Sequence, residues 1–136
     1  MNVPTLSVGD EAPTVRLGPI TRTDIVRYAG AGGDFNPIHH DEEFARAAGV
    51  PSVFAMGLMH AGMLAQHLAG WVGQANVRAF GVRFTGQVWP GDVLSLDGRV
   101  ERVDEGPDGR RALCAMKVSR QDGDAAITAR AVVACA

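Results

Sequence analysis

Lysine is almost missing from this chain: Lys117 is the only one, and arginine supplies the other basic residues. The 13 basic and 15 acidic side chains are interleaved, so no patch of one sign accumulates. That excludes the electrostatic footprint of a surface for DNA, RNA or anionic membrane. Cysteine is scarce too. Cys114 and Cys135 stand far apart without Cys-x-x-Cys spacing, which fits two reduced, partly buried thiols rather than a disulfide framework, a zinc site or a redox pair. No apolar run reaches the length that spans a bilayer, and MNVPTLSVGDEAP has neither the basic start nor the apolar core of a signal peptide, so a cytoplasmic protein is expected. Internal repeats, low-complexity tracts and linkers are also lacking. One domain over residues 1–136 is expected, large enough to bury a core without staples.

What is present divides into a helical first half and a strand-like second half. Val8, Gly9 and Asp10 suit a turn, and a short strand is expected over residues 14–17. Thr21 or Thr23 can cap a helix in TRTDIVRYAGAGG, where Ile25, Val26, Tyr28 and Ala29 follow helical spacing and the glycines from Gly30 onward end the segment. Asp41 suits the N-cap of a second, short helix with Phe44, Ala47 and Ala48 on one face, and Glu42 and Glu43 favour its positive end. The longest apolar segment, FAMGLMHAGMLAQHLAGWV over residues 54–72, predicts a central buried helix. Its small residues Gly57, Ala61, Gly62, Ala65 and Ala69 would let a sheet wrap closely around it. VRAFGVRFTGQVWPGD, VLSLDGRVERVDEG, RRALCAMKVSRQDG and DAAITARAVVACA then predict four strands, successive ones pairing antiparallel. The fold class is α+β: an antiparallel sheet around a long central helix.

Chemistry concentrates between Tyr28 and Ala48. Asp34 and His39 flank an Asn36-Pro37 dipeptide that cannot continue a helix, because Pro37 has a fixed φ and no N–H and pushes Asn36 into extended conformation. A carboxylate and an imidazole on a stiff bend can divide acid and base roles on one substrate. The same residues are also ordinary turn formers and caps, so spacing alone leaves both readings open. His39, His40 and Asp41 are neighbours on an extended loop and point apart, which argues against a metal site. His60 and His67 lie two helical turns apart, about 10 Å, too far to share an ion. Surface or interface positions are expected for both. Trp71 and Trp89 receive no role, and no nucleophile elbow, phosphate loop or dinucleotide fingerprint occurs.

Tyr28, Gly33-Asp34, Asn36-Pro37, His39 and Ala45 stand in the register of the hydratase-2 motif, and the chain resembles the MaoC-like dehydratases, which include (R)-specific enoyl-CoA hydratases. Trp71-Val72-Gly73, Val82-Arg83-Phe84 and Pro90-Gly91-Asp92 extend the likeness over nearly all of the chain. Within the family it most resembles the catalytic subunit of mycobacterial (3R)-hydroxyacyl-ACP dehydratases. The resemblance implies a single hot-dog domain that hydrates (2E)-enoyl thioesters, or dehydrates (3R)-3-hydroxyacyl thioesters, carried by CoA or acyl carrier protein. It implies Asp34 and His39 as the catalytic pair and the Gly57 backbone N–H as oxyanion donor. Asn36, as a support of the loop, and Met56 and Leu58, beside the donor, are the expected substrate-side residues.

Neither metal nor redox cofactor is implied, and the implied partner is a second copy or a related hot-dog subunit. Two departures stand out. Ala31 replaces a larger aliphatic residue, and Met56 stands where many members carry histidine, which changes pocket shape but spares a main-chain donor. In dehydration His39 would remove the C2 proton while protonated Asp34 assists the departing hydroxyl, and the pair can titrate as a unit. Met59 and Met63 have both a pocket-lining and a core reading. Arg78, Arg83, Arg110 and Arg111 are left outside the site. Thioester hydrolysis and a non-catalytic acyl-binding subunit are the alternative functions.

Overall fold

In the computed structural model, which describes residues 2–136, the long apolar segment forms helix α3 over Gly57–Val72. It begins later than the apolar run does. Residues 54–56 are extended because the Ala55 N–H donates to the Val88 carbonyl at 2.8 Å, which pins the chain before it can coil. Met59, His60, Ala61, Leu64, Leu68 and Val72 are buried, whereas Leu58, Gly62, Gln66 and Gly70 are exposed. The helix is thus amphipathic rather than buried all round. The small-residue expectation holds in part: a Cβ on Gly57 would meet the Phe84 ring at 2.7 Å and Ala61 is in the core, but Gly62 faces open space. Gly73, with φ +84°, ends the helix, and the Asn76 side chain donates to the Val72 carbonyl at 2.8 Å and to the Asn2 carbonyl at 3.1 Å.

Five strands make one antiparallel sheet: β1 Val15–Leu17, β2 Val77–Phe84, β3 Leu94–Gly106, β4 Gly109–Ser119 and β5 Ala125–Cys135, in the spatial order β1-β3-β4-β5-β2. The tight turns after β3 and β4 produce the expected neighbours. The first of the four runs behaves differently: β2 pairs with β5, not with β3. Residues 85–93 are no hairpin turn but a crossing that carries the chain past β5 and β4 to the far side. Three strand spacings amount to about 14 Å. Val88 is fully buried along the way, and a turn follows in which Asp92 Oδ2 accepts from Trp89 N–H at 2.8 Å.

Alternation in the sheet supplies the core. Leu94, Leu96 and Val100 of β3, Ala112, Cys114, Met116 and Val118 of β4, and Ile127, Ala129, Ala131 and Val133 of β5 face α3, while Thr128 and Arg130 face outward. β2 has no buried residue, as befits an edge strand. Cys114 and Cys135 are free and buried, and burial, with Cys135 and Glu101 adding to it, pushes the Cys114 thiol up to about 11. Among the described residues no helix is long and apolar enough to cross a membrane.

Helix α1, Arg22–Gly32, carries a capping box: Asp24 N–H donates to Thr21 Oγ1 at 3.1 Å and Thr21 N–H donates back to Asp24 Oδ2 at 2.8 Å. The Thr21 N–H first, and its hydroxyl second, hydrogen-bond the Asp24 carboxyl and hold it below its ordinary range. The helix runs through Gly30 and Gly32, further than expected, and stops at Gly33, whose φ of +71° favours glycine. The short helix α2, Glu42–Ala47, turns Ala45 inward, and the face shared by Phe44, Ala47 and Ala48 is exposed. Because Leu64 is fully buried between α3 and the sheet, Leu64→Ala is expected to cost about 2–5 kcal/mol in urea unfolding with the transition still cooperative.

Candidate active site

Asp34 follows directly on the left-handed Gly33, so the chain leaves α1 with this carboxylate at the mouth of a cavity. Its Oδ1 accepts from Asn36 N–H at 3.3 Å, and Asn36 Oδ1 accepts in turn from Ile38 N–H at 3.1 Å. These bonds cap the 3-10 turn Pro37–His39, so the Asn-Pro bend is a single tight turn. The turn drives His39 inward and leaves His40 exposed, which separates the neighbouring histidines.

His39 Nδ1 lies 2.6 Å from the Phe54 carbonyl oxygen, an acceptor only, so the Nδ1 proton is donated to it. In the neutral ring Nε2 is then left with its lone pair, 3.5 Å from Asp34 Oδ2. The Phe54 ring meets the imidazole edge to face at 5.1 Å, and Trp89 backs Phe54 at 5.7 Å. Trp89, given no role from sequence, thus stands behind the ring that packs on the imidazole. The two ionisable groups differ in hydration: the His39 side chain is 9% exposed and that of Asp34 46%.

Opposite the pair, α3 presents its N-terminus. The first-turn N–H groups of a helix have no intrahelical acceptor, and here Met56 supplies no side-chain cap and no acid occupies the first turn. Their partial positive charge faces a cavity of about 440 Å³ that Asp34, His39, Met56, Gly57 and Leu58 line together. Asn36 is not in the wall. Its side chain is spent on the turn. Met59 is in the core and Met63 packs against it. Arg110 and Arg111 pair with Glu105 and Asp108, and Arg78 donates to the Ala75 carbonyl, all away from the cavity.

The far wall was not readable from the chain. Phe84, Thr85 and Gln87 supply it from the end of β2, with Thr85 tied to β5 by its hydroxyl donating to the Ala125 carbonyl at 2.7 Å. His60 also borders the cavity and corrects the expectation of a surface residue. It is 1% exposed because it occupies the inward face of α3, one turn after Gly57. A larger concavity, about 880 Å³, lies across the outer face of the sheet among Arg83, Asp97, Lys117 and Arg130. It holds outward side chains without an acid–base pair or a helix terminus, so the smaller cavity is the candidate site.

A family model described as MaoC like domain matches residues 6–119. The chain belongs to the MaoC-like family. This MaoC-like domain is 33% identical over 93 residues to the enoyl-CoA hydratase ChsH3 of Mycobacterium tuberculosis, with 66% of the chain and 30% of that protein covered. It is 33% identical over 118 residues to 3-hydroxyacyl-thioester dehydratase Y of the same organism, with 84% and 39% covered. The chain therefore spans only about a third of the length of these relatives. A solved MaoC-like dehydratase superposes with a TM-score of 0.87 at 30% identity, covering 98% of this chain and 43% of that one. In the ChsH1-ChsH2 complex of Mycobacterium tuberculosis, one chain matches with a TM-score of 0.81 at 24% identity, covering 96% and 98%, a likeness of fold alone. The architecture is accordingly the hot-dog type: one antiparallel sheet around a central helix.

The buried histidine of the MaoC-like domain leaves a measurable mark on stability. Burial holds His60 down to about 4 against an ordinary 6.5, and His67 is lowered by burial too, with Asp97 opposing. Between these values the unfolded chain binds a proton that the folded chain refuses. Stability is therefore full above about pH 6.5 and is lost as pH falls toward 4, by as much as ~3 kcal/mol from His60. Urea midpoints across that range should decline, and His60→Leu should flatten the decline.

Proposed function

We propose that this MaoC-like domain reversibly adds water to (2E)-enoyl thioesters, giving (3R)-3-hydroxyacyl thioesters, carried by CoA or acyl carrier protein. The observation that carries the reading is one cavity with an acid–base pair on one side and an uncapped helix N-terminus on the other. Hydration needs three things: a water deprotonated as its oxygen bonds to C3, a proton delivered to C2, and stabilisation of the negative charge that builds on the thioester oxygen. Asp34 and the Nε2 lone pair of His39 are spaced to hold a water between them. In the dehydration direction His39 Nε2 takes the C2 proton, and protonated Asp34 gives its proton to the C3 hydroxyl, which leaves as water as the C2–C3 double bond forms. Hydration is the reverse, with the Asp34 carboxylate taking a proton from the water as its oxygen bonds to C3 and the protonated Nε2 of His39 delivering one to C2.

The Gly57 N–H serves as the donor to the thioester oxygen, a contribution of about 3 kcal/mol to the transition state. Its lack of a side chain matters there, since a Cβ would press on Phe84. Met56 and Leu58 form the acyl side of the cavity, and Asn36 supports the catalytic turn. The open edge of β2, which ends beside the cavity wall, pairs with a second copy of this chain or a related hot-dog subunit. The two-protein complex among the structural neighbours is consistent with such a partner.

With a short enoyl-CoA, the conjugated thioester absorbance is expected to disappear without release of free thiol. Thiol release would instead mark a thioesterase, and no change at all a binding subunit. Asp34→Asn and His39→Ala are each expected to lower kcat by about 100-fold or more with unchanged circular dichroism. Near-normal turnover in either variant removes that residue from the mechanism.

A further inference from the structure

His60 is a buried polar group of the cavity wall that the hydration chemistry leaves unused. It is 1% exposed, and neither ring nitrogen has a hydrogen-bond partner. His39, on the same cavity, has the Phe54 carbonyl as the acceptor for its Nδ1–H. A buried polar group without a partner weakens the fold that contains it, and the neighbouring inward positions of α3 are filled by Met59, Leu64 and Leu68. An aliphatic side chain at position 60 would serve the core better. The imidazole is therefore placed for something that enters the cavity.

Position and chemistry narrow what that is. Gly57 and His60 share a face of α3, about 4.5 Å apart along the axis, and helix side chains lean toward the N-terminus, so the ring leans back toward the donor end of the cavity. A thioester whose carbonyl oxygen rests on the Gly57 N–H and whose C3 lies at Asp34 and His39 would bring the next few carbons of its acyl group to the imidazole. Burial keeps His60 neutral at physiological pH. A neutral imidazole offers one donor and one acceptor and no charge, which suits a hydroxyl or keto oxygen and not a carboxylate or phosphate. We propose that His60 is a specificity-determining residue that selects acyl groups bearing a neutral oxygen function a few carbons beyond the reacting double bond. This role rests on the enoyl-thioester reading for the placement of the chain.

Saturated ligands test it without requiring turnover. Calorimetric titration of the protein with 5-hydroxyhexanoyl-CoA and with hexanoyl-CoA is expected to give about tenfold tighter binding of the hydroxylated chain. In His60→Leu the ratio of the two affinities should fall to about one, and in His60→Gln, which keeps a donor and an acceptor, several-fold discrimination should return. In the wild-type protein the ring nitrogen resonances of His60 should shift with the hydroxylated ligand and not with the plain one. Equal affinities in the wild type, discrimination that survives His60→Leu, or unmoved His60 resonances would overturn the proposal, as would failure to bind either ligand. Retained discrimination without any hydration of enoyl-CoA would instead sink the hydratase reading and leave the role of His60 standing.

Discussion

The hydrogen bond from the Ala55 N–H to the Val88 carbonyl, 2.8 Å long, decides where the central helix begins. With residues 54–56 held extended, the Phe54 carbonyl is free to accept from His39, and α3 starts at a glycine with its first N–H groups uncapped. Had the helix begun at Phe54, as the apolar pattern alone suggests, that carbonyl would enter the helix ladder and the N-terminus would move about 4.5 Å. The pinning partner, Val88, belongs to the crossing between β2 and β3. The irregular order of the sheet and the geometry of the site therefore share one cause.

The two ionisable groups of the site are held by different means. His39 is locked by a short hydrogen bond to backbone and by the Phe54 and Trp89 rings, so its orientation is fixed before any ligand arrives. Asp34 is held by one long bond from its own turn and remains half in water. Preorganisation thus falls mainly on the imidazole, and the carboxylate keeps freedom to follow a bound oxygen. A 3.5 Å separation is too long for a strong hydrogen bond between them, which keeps the pair from satisfying itself.

Much of this was legible in the chain. Asp34, His39 and Gly57 share one cavity, and the chain's membership of the MaoC-like family agrees with the motif from Tyr28 to Ala45. The antiparallel pairing of the last three strands followed from tight turns with glycine. What was not legible has a common reason: it depends on contacts distant in sequence. The pairing of β2 with β5, the far wall from Phe84 to Gln87 and the burial of His60 are set by how the crossing packs, which local periodicity does not encode.

Beyond Val100, β3 is mostly exposed, with Val103 packed against the core, and it turns into β4 at Gly106 and Gly109, where β4 is still paired with the end of β5. The cavity is at the other end of the sheet, where Phe84 pairs with Ile127 and β5 begins. Amide hydrogens at this turn can exchange by local fraying that never reaches the residues around His39. The turn at Gly106 and Gly109 and the candidate site lie at opposite ends of the sheet, so fraying of one leaves the other closed.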